Sequence, residues 1–201
     1  MRHLCLEVVT GEHRALSAML QSIGLLVMQA RRERRRPDFE VLRAMLLYID
    51  EFPERLHHPK EQALLFPKVA ARCPELAPAL ERLARDHANG ELAIRRLEHA
   101  LLAYEVLGEP RRVDFERQLE AYTRFYFEHM ALEENEILPA AQRSLSAADW
   151  EVLDTAFAAN LDPLTGHEAT LDYQPLFSKI LMMAPAPVGL AAAPAAPGTA
   201  G

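Results

Sequence analysis

Apolar residues return every three or four positions along four long stretches of this chain, and that period is the signature of helices with one buried face. The first stretch carries Leu16, Leu20, Ile23 and Val27 on a stripe headed by His13. The second, from about Asp38 to Ala71, shows Leu42, Leu46 and Ile49 before it meets Pro53 and Pro59. The third aligns Leu80, Leu83, His87, Gly90, Ile94, Leu97, Leu101 and Tyr104; the fourth aligns Phe115, Leu119, Tyr122, Tyr126, His129 and Glu133. Proline and glycine punctuate the pattern near Arg31–Pro37, Cys73–Pro74 and Gly108–Pro110. Four long helices joined by short turns predict an all-α, up-down-up-down four-helix bundle over residues 1–145. A shorter helix is expected after Ser146, docked through Trp150, Leu153 and Phe157, within an extension covering residues 146–183. From Ala184 onward the chain reads APAPVGLAAAPAAPGTAG. Such a tail has no core-forming period and is expected to be flexible and to carry no site.

The polar residues on the stripes change this picture. Of eight histidines, His13, His87 and His129 interrupt apolar faces, and His57 falls in the second helix. A single histidine on such a face is ordinarily a hydrogen-bonded core residue, but here a repeat links them. HHPKEQALLFP begins at His57 and HMALEENEILP at His129; Glu12-His13 and Asp86-His87 form a second matched pair at nearly the same offset. The chain thus reads as two helix pairs, each giving one histidine from its first helix and His-x-x-x-Glu from its second. The i, i+4 spacing puts His57 with Glu61, and His129 with Glu133, on one helix face. Each of the four histidines lies roughly 20 residues from its turn, which at about 1.5 Å per residue sets all four in one layer about 30 Å from the bundle end. Four imidazoles and two carboxylates at one level of an apolar interior are costly to bury without a partner. A metal resolves the cost, and mixed histidine and carboxylate donors suit iron, manganese or zinc. Glu61 and Glu133, one from each repeat, can bridge two ions that take two histidines each.

These residues resemble the hemerythrin-like HHE cation-binding family over about Glu7 to Arg143, with His13, His57-x-x-x-Glu61, His87 and His129-x-x-x-Glu133 in the positions of the family's ligands. The resemblance implies a non-haem centre of two iron ions, oxo- or hydroxo-bridged, that binds or reacts with oxygen, nitric oxide or a related small molecule in sensing, scavenging or iron handling under stress. The alternative is a di-iron oxidoreductase that reduces nitric oxide or peroxide or repairs iron–sulfur clusters; a closed structural zinc site is a third reading. Glu91 stands where the oxygen carriers have a further histidine. A donor place left unfilled there makes oxidation in air the expectation, rather than reversible oxygen binding. The pattern is closer to members with four histidines and two glutamates, which include bacterial proteins linked to iron–sulfur repair and nitric oxide stress. Those usually carry a cysteine-bearing segment ahead of the bundle, whereas this sequence opens almost at its first helix.

Other groups are weighed against these six. His58, about 100° around a regular helix from His57, is expected behind the ligands or at the surface. Glu91 is expected to be solvated or paired, with a ligand or relay role as the alternative. Gly90 leaves room for a ligand or for a close helix crossing. Tyr122 and Tyr126 are expected to pack in the core, and Glu12, Asp86, Glu134 and Glu136 either orient imidazoles or lie at the surface. His3, His99 and His167 have no partner in the pattern. Pro59 removes the bond to the carbonyl of Arg55, so a kink is expected near the second-helix ligands.

Composition narrows the setting. The net charge of −7 argues against a nucleic-acid surface, and the basic run from Arg31 to Arg36 falls at an expected turn. No signal peptide or 18-residue apolar span is visible. Cys5 and Cys73 suit a reducing compartment and no disulfide, so the cytoplasm is the expected location. No nucleophile triad or phosphate loop offers a competing chemistry. The partners expected are a diatomic ligand and an electron-donor or iron-acceptor protein, with no nucleic acid and no membrane.

Overall fold

The computed structural model describes residues 3–186 and 188–189. Helix α1 spans Leu4–Arg32. After a turn in which Arg34 takes a positive φ of 51°, Asp38 caps α2, Phe39–Ile49, accepting from the backbone N–H groups of Glu40 and Val41. Residues 39–72 then run as one rod of alternating character. A π turn covers Asp50–His57, α3 covers His58–Lys60, a second π turn Glu61–Leu65, and α4 covers Phe66–Arg72. Helix α5, Ala77–Leu107, ends where Gly108 adopts φ +79°. Helix α6, Arg112–Leu132, passes through a π turn at Glu133–Ile137 into α7, Leu138–Ser144. The result is the up-down-up-down arrangement expected from the stripes. No β-strand occurs among the described residues, and no helix among them is long and apolar enough to cross a membrane.

Proline explains the widened turns. Pro53, Pro59, Pro67 and Pro139 have no N–H to complete an α-helical bond. Phe66 N–H reaches back five residues to the carbonyl of Glu61, Leu138 does the same to Glu133, and His58 N–H bonds the carbonyl of Pro53. The kink expected at Pro59 is therefore taken up as a π turn on either side of it. The turns at Glu61 and Glu133 occupy matching places in the two copies, so the repeat extends to backbone geometry.

The apolar interior falls into two clusters. One holds Leu16, Leu20 and Ile23 of α1, Leu42 and Ile49 of α2, Ile94 and Leu101 of α5, and Phe115 and Tyr122 of α6. The other holds Cys5 and Val9, Leu65 and Val69, Leu80 and Leu83, and Ile137 and Ala141. Between them, on each of the four long rods of the bundle, lie the histidines and glutamates singled out by the repeat.

The extension packs on this bundle. Helix α8, Ala147–Phe157, starts from a capping box of Ser146 and Asp149. It lies along α1, with Trp150, Leu153 and Phe157 in the second cluster. Helix α9, Gln174–Met183, packs on α2 through Phe177 and Ile180. The expected flexible tail begins in an ordered way: Ala184 is fully buried and the carbonyl of Pro185 accepts from Ser22 Oγ at 3.2 Å. Val188 packs against the first cluster and Gly189 N–H bonds the carbonyl of Pro185, while residues 187 and 190–201 lie outside the described residues. Phe157 is fully buried and edge-on to His57, with ring centroids 6.3 Å apart. Phe157→Ala is expected to cost the metal-free protein about 3–5 kcal/mol in denaturant unfolding, since the cavity would lie between two rigid helices.

Candidate metal centre

The six residues expected from the repeat come together at mid-height. His13, His57, Glu61 and Glu133 form one group whose potential ligand atoms all lie within 4.8 Å of one another, and Glu61, His87, His129 and Glu133 form a second. The two groups share Glu61 and Glu133. Glu61 Oε2 lies 3.1 Å from His57 Nε2 and 3.5 Å from His87 Nε2. Glu133 reaches His13 Nε2 at 3.1 Å through Oε2 and His129 Nε2 at 3.5 Å through Oε1. Each carboxylate therefore faces histidines of both repeats, as a bridging group would.

These close approaches lack hydrogen-bond geometry. Among the described residues, ten buried side-chain N and O atoms have no hydrogen-bond partner, and nine belong to His57, Glu61, His87, His129 and Glu133; the tenth is Asp50 Oδ1. Folded chains leave few buried polar atoms unpaired, and each costs on the order of 1–3 kcal/mol. Nine gathered at one level call for cations. Nitrogen and carboxylate donors fit iron, manganese or zinc, and neither cysteine belongs to the groups.

Around the layer, acids of one helix orient imidazoles of another. Glu12 Oε2 accepts from His57 Nδ1 at 2.6 Å, and Glu134 Oε1 lies 2.9 Å from His13 Nδ1. Asp86 stands 3.7 Å from His129 Nδ1. Glu12, the acid preceding the first histidine of its pair, thus serves the histidine of the neighbouring helix, whereas its counterpart Asp86 faces His129 without a hydrogen bond. Glu136 is exposed and takes no such part. The extension joins in: Asn160 Nδ2 donates to Glu12 Oε2 at 3.1 Å, and Lys60 Nζ bonds Asn160 and, at 3.0 Å, the carbonyl of Ala156.

The two sides of the layer differ electrostatically. Burial opposes a proton on His13 and His57, yet the facing acids prevail. Glu133 and Glu134 carry His13 up to about 9. Glu61 and Glu12 lift His57 well above the usual imidazole range. Across the layer, burial and then the neighbouring imidazoles hold His58 and His87 well below that range, and burial also lowers His129. Neutral imidazole is the form that binds a metal. Burial, and then the facing carboxylate of Glu61, raise Glu133.

Several expectations need correction. His58 is not on the surface: it is 5% exposed and lies in a third close group with His87 and His129. The expectation assumed regular α-helical rotation, whereas the π turn at 50–57 widens the helix and lets consecutive residues face inward. Glu91 is exposed and pairs with Arg95, so it is no ligand. His58 approaches His87 and His129 from another helix. Tyr122 and Tyr126 pack in the core and also bond Glu54, which sequence reasoning passes over. His99 and His167 are exposed, and His3 stacks on Trp150. Cys5 and Cys73 are free and buried.

Residues 5–141 match the family described as the hemerythrin HHE cation binding domain. No curated protein matches the chain.

Proposed function

Since the chain belongs to the hemerythrin HHE cation-binding family, we propose that it holds two iron ions through His13, His57, Glu61, His87, His129 and Glu133, and binds or reacts with oxygen, nitric oxide or a related small molecule. The observation that carries this reading is the pair of donor groups sharing two carboxylates that otherwise have no partner. Iron bound there would supply redox chemistry and an affinity for diatomic ligands. The protein's own contribution is to orient and enclose. Glu12 and Glu134 fix the rings of His57 and His13, and the two apolar clusters keep water from the layer. His13, His57, Glu61, His129 and Glu133 are each at most 5% exposed, so a reactant must be small enough to diffuse through a packed bundle. That favours sensing, scavenging or iron handling over chemistry on a bulky substrate, with an electron-donor or iron-acceptor protein as the partner.

The test is metal analysis of anaerobically purified protein, with optical spectra before and after oxygen is admitted. About two irons per chain are expected, with a spectral change on exposure. One tightly held zinc and no affinity for iron would overturn the reading. Sustained turnover of nitric oxide or peroxide when a reductant is supplied would instead assign the oxidoreductase alternative. Glu12→Ala frees His57 Nδ1 and removes the acceptor used by Asn160. It is expected to weaken iron binding ~10–100-fold while the helical content stays unchanged by circular dichroism.

A further inference from the structure

The repeat breaks its own symmetry beside the metal layer. The shift that carries His57 onto His129 also carries Glu61 onto Glu133, but it carries His58 onto Met130 and Glu54 onto Tyr126. Met130 belongs to no donor group; its sulfur accepts from Ser17 Oγ at 3.8 Å. His58 stacks on the ring of His87, with centroids 4.3 Å apart and planes 17° from parallel, and stands 5.5 Å from the ring of His129. These three histidines offer ligand atoms within 4.8 Å of one another.

We infer that His58 is a fifth histidine ligand, bound to the ion held by His87 and His129, so that one ion has three histidines and the other, at His13 and His57, has two. The inference rests on the metal-binding reading above. What orients the ring supports it. His58 Nδ1 lies 3.1 Å from Glu54 Oε2, and Glu54 Oε1 accepts from Tyr122 Oη at 3.0 Å and from Tyr126 Oη. A carboxylate that already accepts from two phenols is an acceptor for the imidazole as well. Nδ1 therefore carries the proton and Nε2 keeps its lone pair for a cation, the arrangement that carboxylates commonly impose on metal-bound histidine. Gly90 gives this network its space, since a Cβ there would collide with Tyr126 Oη and lie 3.0 Å from Glu54 Oε1. The offset that pairs His87 with His13 pairs Gly90 with Leu16, a core residue with no network beside it. The glycine, the acid and the two tyrosines thus occur only on the side of the layer where the extra histidine stands.

The experiment loads the full chain with cobalt(II) and counts, by proton NMR, the paramagnetically shifted exchangeable ring N–H signals of ligating histidines. Five are expected from the wild-type chain, for His13, His57, His58, His87 and His129. Four are expected from His58→Met, which copies the repeat mate. Calorimetric titration of His58→Met and His58→Gln should leave one ion at wild-type affinity and weaken the other on the order of 100-fold. Glu54→Gln tests the positioning role without touching the ligand: it should shift the His58 N–H signal and leave the other four in place. Four signals from the wild-type chain, or two-site titrations unchanged in both His58 variants, would overturn the inference and leave the six-ligand centre standing. A wild-type chain that takes up no cobalt would overturn the inference and the metal-binding reading together.

Discussion

Replacing Glu61 by alanine is expected to strip the centre of metal and, at the same time, to make the metal-free protein more stable. Glu61 is fully buried, and neither of its oxygens has a hydrogen-bond partner. In the metal-free chain that carboxylate is a cost, because the single imidazolium of His57 facing it offsets only part of the several kcal/mol lost on burying the charge. In the loaded chain it is the group that faces His57 on one side and His87 on the other, so its loss affects both ions at once. Metal content should fall from about two per chain to well under one. The stabilisation that added metal gives the wild-type protein, about 4 kcal/mol at a thousandfold excess over the dissociation constant, should disappear. Thermal melts with and without iron, combined with metal analysis, measure both signs. Glu61→Ala protein that kept two irons and an unchanged spectrum would exclude the bridging role. Glu133→Ala should behave alike, except that His13 loses its contact instead of His57.

Gly90→Ala should be the most damaging of the glycine-to-alanine changes in the helices. The new Cβ would collide with Tyr126 Oη and sit 3.0 and 3.1 Å from the two Glu54 oxygens. Tyr126 is a rigid ring, 1% exposed, and Glu54 is tied to both tyrosines and to His58. Neither can retreat without breaking a buried hydrogen bond. Alanine favours a helix over glycine by about 1 kcal/mol. Overpacking costs about 1–3 kcal/mol and each broken buried bond a further 1–3. The net expectation is a loss of about 2–4 kcal/mol in denaturant unfolding. Gly24→Ala, at a helical position where a Cβ meets nothing within 4 Å, is the control and should be neutral or stabilising.

The helices and the layer are legible in the chain because both depend on spacing. A stripe at three- and four-residue steps places a helix face, and counting residues to a turn places a histidine in depth. Spacing misplaces His58 because it converts to direction only while the helix keeps its pitch. Pro53 and Pro59 signal a disturbance there, and the structure resolves it as a widened turn rather than a bend. Glu54 carries a signal of its own: it stands four residues before His58, and its repeat mate is Tyr126, one of the phenols it bonds. Asn160 and Asp162 are out of reach of any such pattern. They are buried in a segment with no period, where Asn160 bonds Glu12 and Asp162 accepts from Tyr48 Oη at 2.7 Å, and only the folded chain brings those partners together.

The two apolar clusters separated by a polar layer bear on how such a chain can be divided. Each cluster takes residues from both helix pairs, and the donors between them are likewise split in half. A fragment holding one pair would expose one wall of each cluster and carry half a ligand set, so neither half is a folding unit despite the sequence similarity between them. Two identical fragments set face to face would supply the missing walls and a second His-x-x-x-Glu. The architecture is in this sense a dimer written on one chain, and the linker across Cys73 and Pro74 is the tether that frees the two halves to diverge, one keeping a histidine where the other has a methionine.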